Sequence, residues 1–165
     1  VNAFGTGVAD DKLTHVYVED MVRFYLGEEP ALESVTSYDL TVSESLEHVL
    51  DRLDELVVKP RDGHGGEGVV ICPLCPPEEV AQVRERVRRD PSAFVAQELV
   101  VLSEHPTICD GELAPRHVDL RPFVLACADR IEVVPGGLTR VALDSGSMIV
   151  NSSRNGGAKD TWVLQ

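Results

Sequence analysis

A chain of 165 residues with 43% hydrophobic content carries enough apolar side chains for one ordinary core. Its 28 acidic residues against 15 Lys and Arg give a formal net charge of -13, which argues against nucleic acid and anionic membranes as main partners. No run reaches the roughly 18 apolar residues of a membrane span, and no basic-then-apolar leader opens the chain, so a cytoplasmic setting is expected.

The chain starts at Val1 rather than Met, and it is expected to be one piece of a longer polypeptide. Asn2 to Gly7 reads as a small loop. Asp10 and Asp11 are placed to cap a helix whose Leu13, Val16, Tyr17, Met21 and Phe24 recur at helical spacing, with Gly27 ending it. An extended piece follows at Ser34 to Leu40. Ser43 is expected to cap a second helix with Leu46, Val49, Leu50 and Leu53 on one face.

The most informative stretch runs from Val57 to Ile71. Lys59 ends an apolar strand, Gly63, His64, Gly65, Gly66 and Gly68 form a loop, and a second apolar strand returns. Low side-chain bulk lets backbone N–H groups close around phosphate oxygens, and the lysine adds a point charge for the same phosphates. Lys59 is either an edge residue pointing to solvent or a phosphate ligand; the glycine loop directly behind it favours the second. The spacing is not that of a P-loop, because a strand follows where a P-loop has a helix.

Cys72 and Cys75 have the spacing of a zinc knuckle or redox pair, but Cys109 and Cys127 lie eighteen residues apart and form no second pair. Reduced thiols are the expected state. Pro77, Glu78 and Glu79 open a third helix with Val80, Val83 and Val87 inward. Its basic run, Arg84, Arg86, Arg88 and Arg89, reads as a solvated face favoured by the helix dipole, or as an anion site.

Beyond Pro91 the pattern turns to strand. Phe94 to Leu102, Val118 to Cys127 and Ile131 to Val134 each read as one. Leu138 to Leu143 and Met148 to Val150 flank an Asp144–Ser147 turn and predict a hairpin. Glu104 to Arg116 is expected to be a mobile connection. Helices early and antiparallel strands late argue for an α+β fold.

Four further groups carry chemistry. Gln97, Glu98 and Leu99 interrupt an apolar strand and can present backbone groups and a carboxylate to a base. Arg121, two residues after Asp119, shares its strand face, either as a structural pair or as an arginine aimed at a phosphoryl group. Arg140 lies on a second strand. Asn151, Ser152, Gly156, Gly157 and Lys159 belong to a polar, glycine-rich stretch suited to anionic groups. The five histidines show no ligand spacing.

This ordered set of strand lysine, glycine loop, helix, Gln97-Glu98, Asp119-x-Arg121, Arg140 and Asn151 with a later Gly-Gly resembles the ATP-grasp superfamily. In ordinary members an asparagine-containing metal loop closes the domain. Here a similar loop, Asn2 to Gly7, stands at the start, which resembles the circularly permuted ATP-grasp type 2 family, related to glutathionylspermidine synthase-like proteins.

The resemblance spans nearly the whole chain and implies an ATP-grasp fold of two α+β lobes with antiparallel sheets around ATP. Lys59 would contact the phosphates under the Gly63–Gly68 loop, His64 included. Gln97, Glu98 and Leu99 would hold adenine. Arg121 and Arg140 would steady the γ-phosphate or an acyl phosphate. Asn151, Ser152, Gly156, Gly157 and Lys159 would face phosphates or substrate. Asn2 would bind magnesium, with acidic co-ligands expected upstream of Val1.

The activity implied is ATP-dependent ligation of a small-molecule or peptide carboxylate to an amine, or to a thiol, through an acyl phosphate. The alternatives are an ATP-dependent phosphotransferase and a non-catalytic nucleotide-binding or interaction domain.

Overall fold

A computed structural model describes residues 6–63, 65–148 and 156–164, with Phe4 and Val150. The described chain falls into two compact units, Val1–Val100 and Val101–Gln165. The first carries the helices α1 (Lys12–Val16), α2 (Val18–Leu26), α3 (Ser43–Asp51) and α4 (Pro77–Arg89). Its strands β1 (Ser37–Asp39), β2 (Leu56–Pro60), β3 (Val70–Ile71) and β4 (Phe94–Glu98) form an antiparallel sheet in the order β1-β4-β2-β3.

Strand alternation divides that sheet cleanly. Leu56, Val58, Ala96, Val70, Tyr38 and Phe94 point to one side and join Leu40, Val49, Leu53, Val80, Val83 and Val87 in the core. The three valines of α4 are buried, as their spacing predicts. Cys72 sits in the same core, and burial, helped by the neighbouring Cys75, pushes its thiol up to about 11. All four cysteines are free thiols.

Several local expectations are corrected. The first helix is interrupted at Tyr17, which leaves helical geometry and donates its hydroxyl to Asp39 Oδ2 at 2.5 Å. Asp11 caps it, accepting from Leu13 N–H at 2.9 Å, and Gly27 closes α2 as predicted. Phe24, placed on the apolar face by spacing, is 81% exposed. Ser43 is the first helical residue rather than the cap. Asp39 accepts from Thr41 N–H and turns the chain so that the Val42 carbonyl takes the first helical bond, from Leu46.

The second unit has an antiparallel sheet in the order β5-β6-β7-β8, formed by β5 (Glu104–Cys109), β6 (Glu112–Ala126), β7 (Ile131–Ala142) and β8 (Gly156–Lys159). The segment expected to be a mobile connection is therefore the β5–β6 hairpin. Asp110 (φ 53) and Gly111 (φ 85) make its two-residue turn, with Cys109 opposite Glu112. The strand expected to reach Leu102 stops at Glu98.

The pieces Ile131–Val134 and Leu138–Leu143 are one strand. An irregularity between Pro122 and Val124 absorbs Pro135 and Gly136, so the proline needs no ladder bond. At Gly137 a Cβ would lie 3.1 Å from the Arg121 carbonyl oxygen, a backbone approach that favours glycine. The partner of β7 beyond the Asp144–Ser147 turn is Gly156–Lys159 rather than Met148–Val150.

Candidate functional site

In the first sheet, Ser37, Asp39, Val57, Lys59, Ile71, Val95 and Gln97 point away from the α3–α4 core. Lys59 is half-buried there. Its Nζ donates to Gln97 Oε1, a neutral acceptor, and Gln97 Nε2 donates to Ser37 Oγ at 2.6 Å. Burial, and secondarily the charge of Lys12, push the Lys59 ammonium below the ordinary lysine value. Among the described residues its acceptor is a neutral amide and no ion pair to it is present.

The glycine loop leaves β2 directly after this lysine. Gly63, Gly65, Gly66 and Gly68 have φ of 99°, 64°, 76° and 70°. At Gly68 a Cβ would also meet Pro60 Cγ at 3.0 Å. The loop entry is tied down from α1. Lys12 Nζ donates to the carbonyls of Arg61, Asp62 and Gly63 at 3.4, 3.3 and 3.0 Å. Arg61 pairs with Asp11 (Nη2–Oδ2 2.5 Å) and donates to the Ser92 carbonyl at 3.1 Å. An open hollow of about 840 Å³ lies beside this entry, lined in part by Asp11, Arg61 and Gly63. His64 lies outside the described residues.

Gln97 and Glu98 are separated by the sheet. Glu98 points to the core side, where it accepts from Tyr38 Oη at 2.6 Å and from Arg52 Nη1 and Nη2 at 3.0 and 3.3 Å. The Tyr38 bond, with the Arg52 charge, holds its carboxyl below the usual range. Its side chain therefore braces the end of β4 from behind. The Glu98 backbone N–H is taken by the Thr36 carbonyl at 3.0 Å.

In the second unit, Asp119 stands opposite Arg140, and Arg121 follows two residues on, so all three share a face. The structural pair is Asp119–Arg140 across the strands rather than Asp119–Arg121. Arg140 Nε donates to Asp119 Oδ1 at 2.8 Å and Nη2 to Oδ2. Arg121 is exposed, with no ion pair among the described residues. Glu104 and His117 lie further along that face.

Lys159 is opposite Thr139 and so lies on the other face. There its Nζ is 2.8 Å from His105 Nδ1 and donates to the Pro106 carbonyl at 2.5 Å. Gly156 and Gly157 are ladder residues opposite Ala142 and Val141. Asn2, Asn151 and Ser152 lie outside the described residues.

The basic run of α4 is split. Arg84 donates to the Leu50 carbonyl, Arg86 stacks on the Phe94 ring at 5.3 Å, and Arg88 and Arg89 are exposed. Among the described residues no group of three His, Cys, Asp or Glu side chains is placed to hold a metal. No described helix is long and apolar enough to cross a membrane.

Lys12, Ser37 and Arg52 escaped the sequence reading. They act across separations of 46 to 60 residues, where no local pattern points. The placement of Glu98 was accessible, because adjacent strand residues face opposite ways.

The chain is 51% identical over 99% of its length to an uncharacterized protein of Synechocystis, of which it covers 34%. It is 49% identical over 99% of its length to an uncharacterized protein of Mycobacterium tuberculosis, covering 30% of it. A Frankia casuarinae protein named "Putative glutamate--cysteine ligase 2-2" is 54% identical over 98% of the chain, which covers 19% of it. The chain thus spans about a third or less of the length of these relatives. The family model for circularly permuted ATP-grasp type 2 matches residues 1–142. With that match and a lysine-and-glycine-loop face of this construction, the chain belongs to the circularly permuted ATP-grasp type 2 family.

Proposed function

We propose that this chain is the nucleotide-binding part of an ATP-dependent ligase joining a carboxylate to an amine or thiol. The observation that carries the reading is Lys59. Its ammonium is half-buried, is met by a neutral amide oxygen, and stands at the mouth of a loop with four positive-φ glycines. Those features suit a polyphosphate, which supplies the missing counter-charge and accepts from backbone N–H groups. The relative named as a glutamate–cysteine ligase supports the ligase class.

In this reading Lys59 binds the phosphates and the glycine loop covers them. Lys12 and the Asp11–Arg61 pair hold the loop entry. The Leu99 backbone meets the base, while Gln97 steadies Lys59. Asp119 orients Arg140, and Arg121 on the same face is free to meet a phosphoryl oxygen. ATP bound there supplies the γ-phosphoryl group: a carboxylate oxygen attacks it as the bond to ADP breaks, and a neutral amine or thiol then displaces phosphate from the acyl carbon and loses its proton.

This chain's own contribution is positioning and charge neutralisation. Asn2 is the residue proposed for magnesium, which would neutralise phosphate charge when bound. Asn151 and Ser152 are proposed to face substrate, together with the backbone of Gly156 and Gly157. Lys159 is proposed for the same role only if it leaves His105.

The test is calorimetric titration of Mg-ATP into the wild type and Lys59→Ala, followed by ADP release with paired acids and amines, glutamate and cysteine first. ADP release that needs both partners is the expected result. A phosphorylated product without ligation would move the assignment to a phosphotransferase. Binding without turnover would leave a nucleotide-binding module, and the absence of Lys59-dependent binding would overturn the nucleotide reading itself.

A further inference from the structure

We infer that Ser37 is a positioning residue for the phosphate lysine: it fixes the amide of Gln97 so that the oxygen, and not the NH2 group, faces Lys59. This inference rests on the nucleotide reading above and goes beyond it to a residue on a different strand.

The hydrogen bonds admit one orientation. Ser37 Oγ donates its proton to the Val35 carbonyl at 2.8 Å, so towards Gln97 it can only accept. The Gln97 group it meets at 2.6 Å must therefore be the NH2. The amide oxygen is then turned to Lys59 Nζ, which can only donate. Gln97 is 8% exposed, so water does not readily substitute for either partner. The three residues occupy adjacent strands in register: Ser37 is opposite Gln97, which is opposite Val57, two residues before Lys59.

The chemistry explains why a glutamine stands here. A carboxylate at this place would neutralise Lys59 and compete with the incoming phosphate. An amide oxygen holds the ammonium in place and leaves its charge for the ligand. Without Ser37 the NH2 loses its acceptor, and the bond from Lys59 alone holds the amide, so its oxygen is placed less firmly against the ammonium. Among the charged groups on this face, Lys12 of α1 repels Lys59. Asp39 of β1 is engaged by Tyr17 and Thr41.

The test measures Mg-ATP affinity from neutral to alkaline pH on the full-length protein for wild type, Ser37→Ala, Ser37→Thr and Gln97→Glu, with thermal melts to confirm folding. Ser37→Ala is expected to weaken binding about ten-fold, the cost of leaving a buried charged donor poorly paired. It should also move the alkaline loss of affinity to lower pH, and Ser37→Thr should restore both. Gln97→Glu should weaken binding at neutral pH yet move the alkaline loss to higher pH, a pair of shifts that a merely structural role would not produce.

Lys59-dependent binding in the wild type with an unchanged affinity and pH profile in Ser37→Ala would overturn the inference and leave the nucleotide reading standing. Absence of Lys59-dependent binding in the wild type would remove both.

Discussion

The two units present charge in different ways. In the first, Lys59 and Glu98 flank one strand pair and are each held by partners from other elements, Gln97 and Ser37 on one face, Tyr38 and Arg52 on the other. A core containing Leu53, Val49 and Val87, all 0% exposed, fixes the sheet that carries them. In the second, the Asp119–Arg140 pair and Arg121 stand on a sheet whose far end is largely open. Val124, Leu125, Ile131 and Val133 are exposed, and among the described residues of this unit the buried apolar ones are Val141, Ala142 and Val150. If the proposed roles hold, the lysine stands on a sheet fixed by a packed core and the arginines on one with fewer buried apolar residues.

The largest effects should come from the cores. Leu53→Ala is expected to cost about 2–5 kcal/mol in denaturant melts. Leu125→Ala, in the exposed part of β6, should stay within about 0.5 kcal/mol. Equal costs at the two positions would erase the contrast between the units.

Next comes the separation of binding from stability. Lys59→Ala should weaken Mg-ATP about ten- to a hundred-fold in calorimetry, the worth of a charge-assisted bond to phosphate. Its melting temperature should change little, because loss of a half-buried ammonium offsets the Gln97 oxygen left without its donor. A parallel loss of stability would make Lys59 a structural residue.

A smaller effect is expected in the second unit. Asp119→Asn keeps the shape and removes the counter-charge of Arg140, and should cost roughly 1 kcal/mol for a partly exposed pair. ADP release should slow more than Mg-ATP binding weakens, because Arg140 loses its orientation rather than the nucleotide losing a ligand. An unchanged turnover would detach Arg140 from catalysis.

The smallest is a pH effect on the first unit. Asp11, held low mainly by the Arg61 bond, and Glu98, held low mainly by Tyr38, have folded values below their unfolded ones. At Asp39 burial works upwards, but the bonds from Tyr17 and Thr41 outweigh it and the net direction is again down. Their stabilisation is full above the ordinary carboxylate range and fades as pH falls through the lowered values. Acid melts of Tyr38→Phe should therefore show a shallower loss than wild type across that window. A wild-type acid limb that Tyr38→Phe leaves unaltered would detach Glu98 from it.

Much of the first unit was legible from sequence. Val80, Val83 and Val87 at helical spacing became the buried face of α4, Gly27 closed α2, and the glycines after Lys59 marked a turn with positive φ. Other readings failed where a nearby signal outweighed the pattern. The Asp110-Gly111 pair is a strong hairpin signal inside the Glu104–Arg116 stretch expected to be a mobile connection, and that stretch contains prolines at 106 and 115. They are accommodated directly opposite each other in the ladder. Phe24 fits a helical stripe, yet spacing records only which residues share a face and says nothing of what covers it.

By itself the sequence determined which residue types stand in which local element, because helix and strand periods and turn chemistry act over a few residues. That was enough to place a lysine beside a flexible-backbone loop. Only the tertiary structure decided the partners: Gln97 and Ser37 for Lys59, Lys12 for the loop carbonyls, Arg52 for Glu98, and Arg140 rather than Arg121 for Asp119. Those pairings depend on strand register across connections of tens of residues. Register is set by which faces the cores bury, a property of the packed sheet that no window of the chain contains.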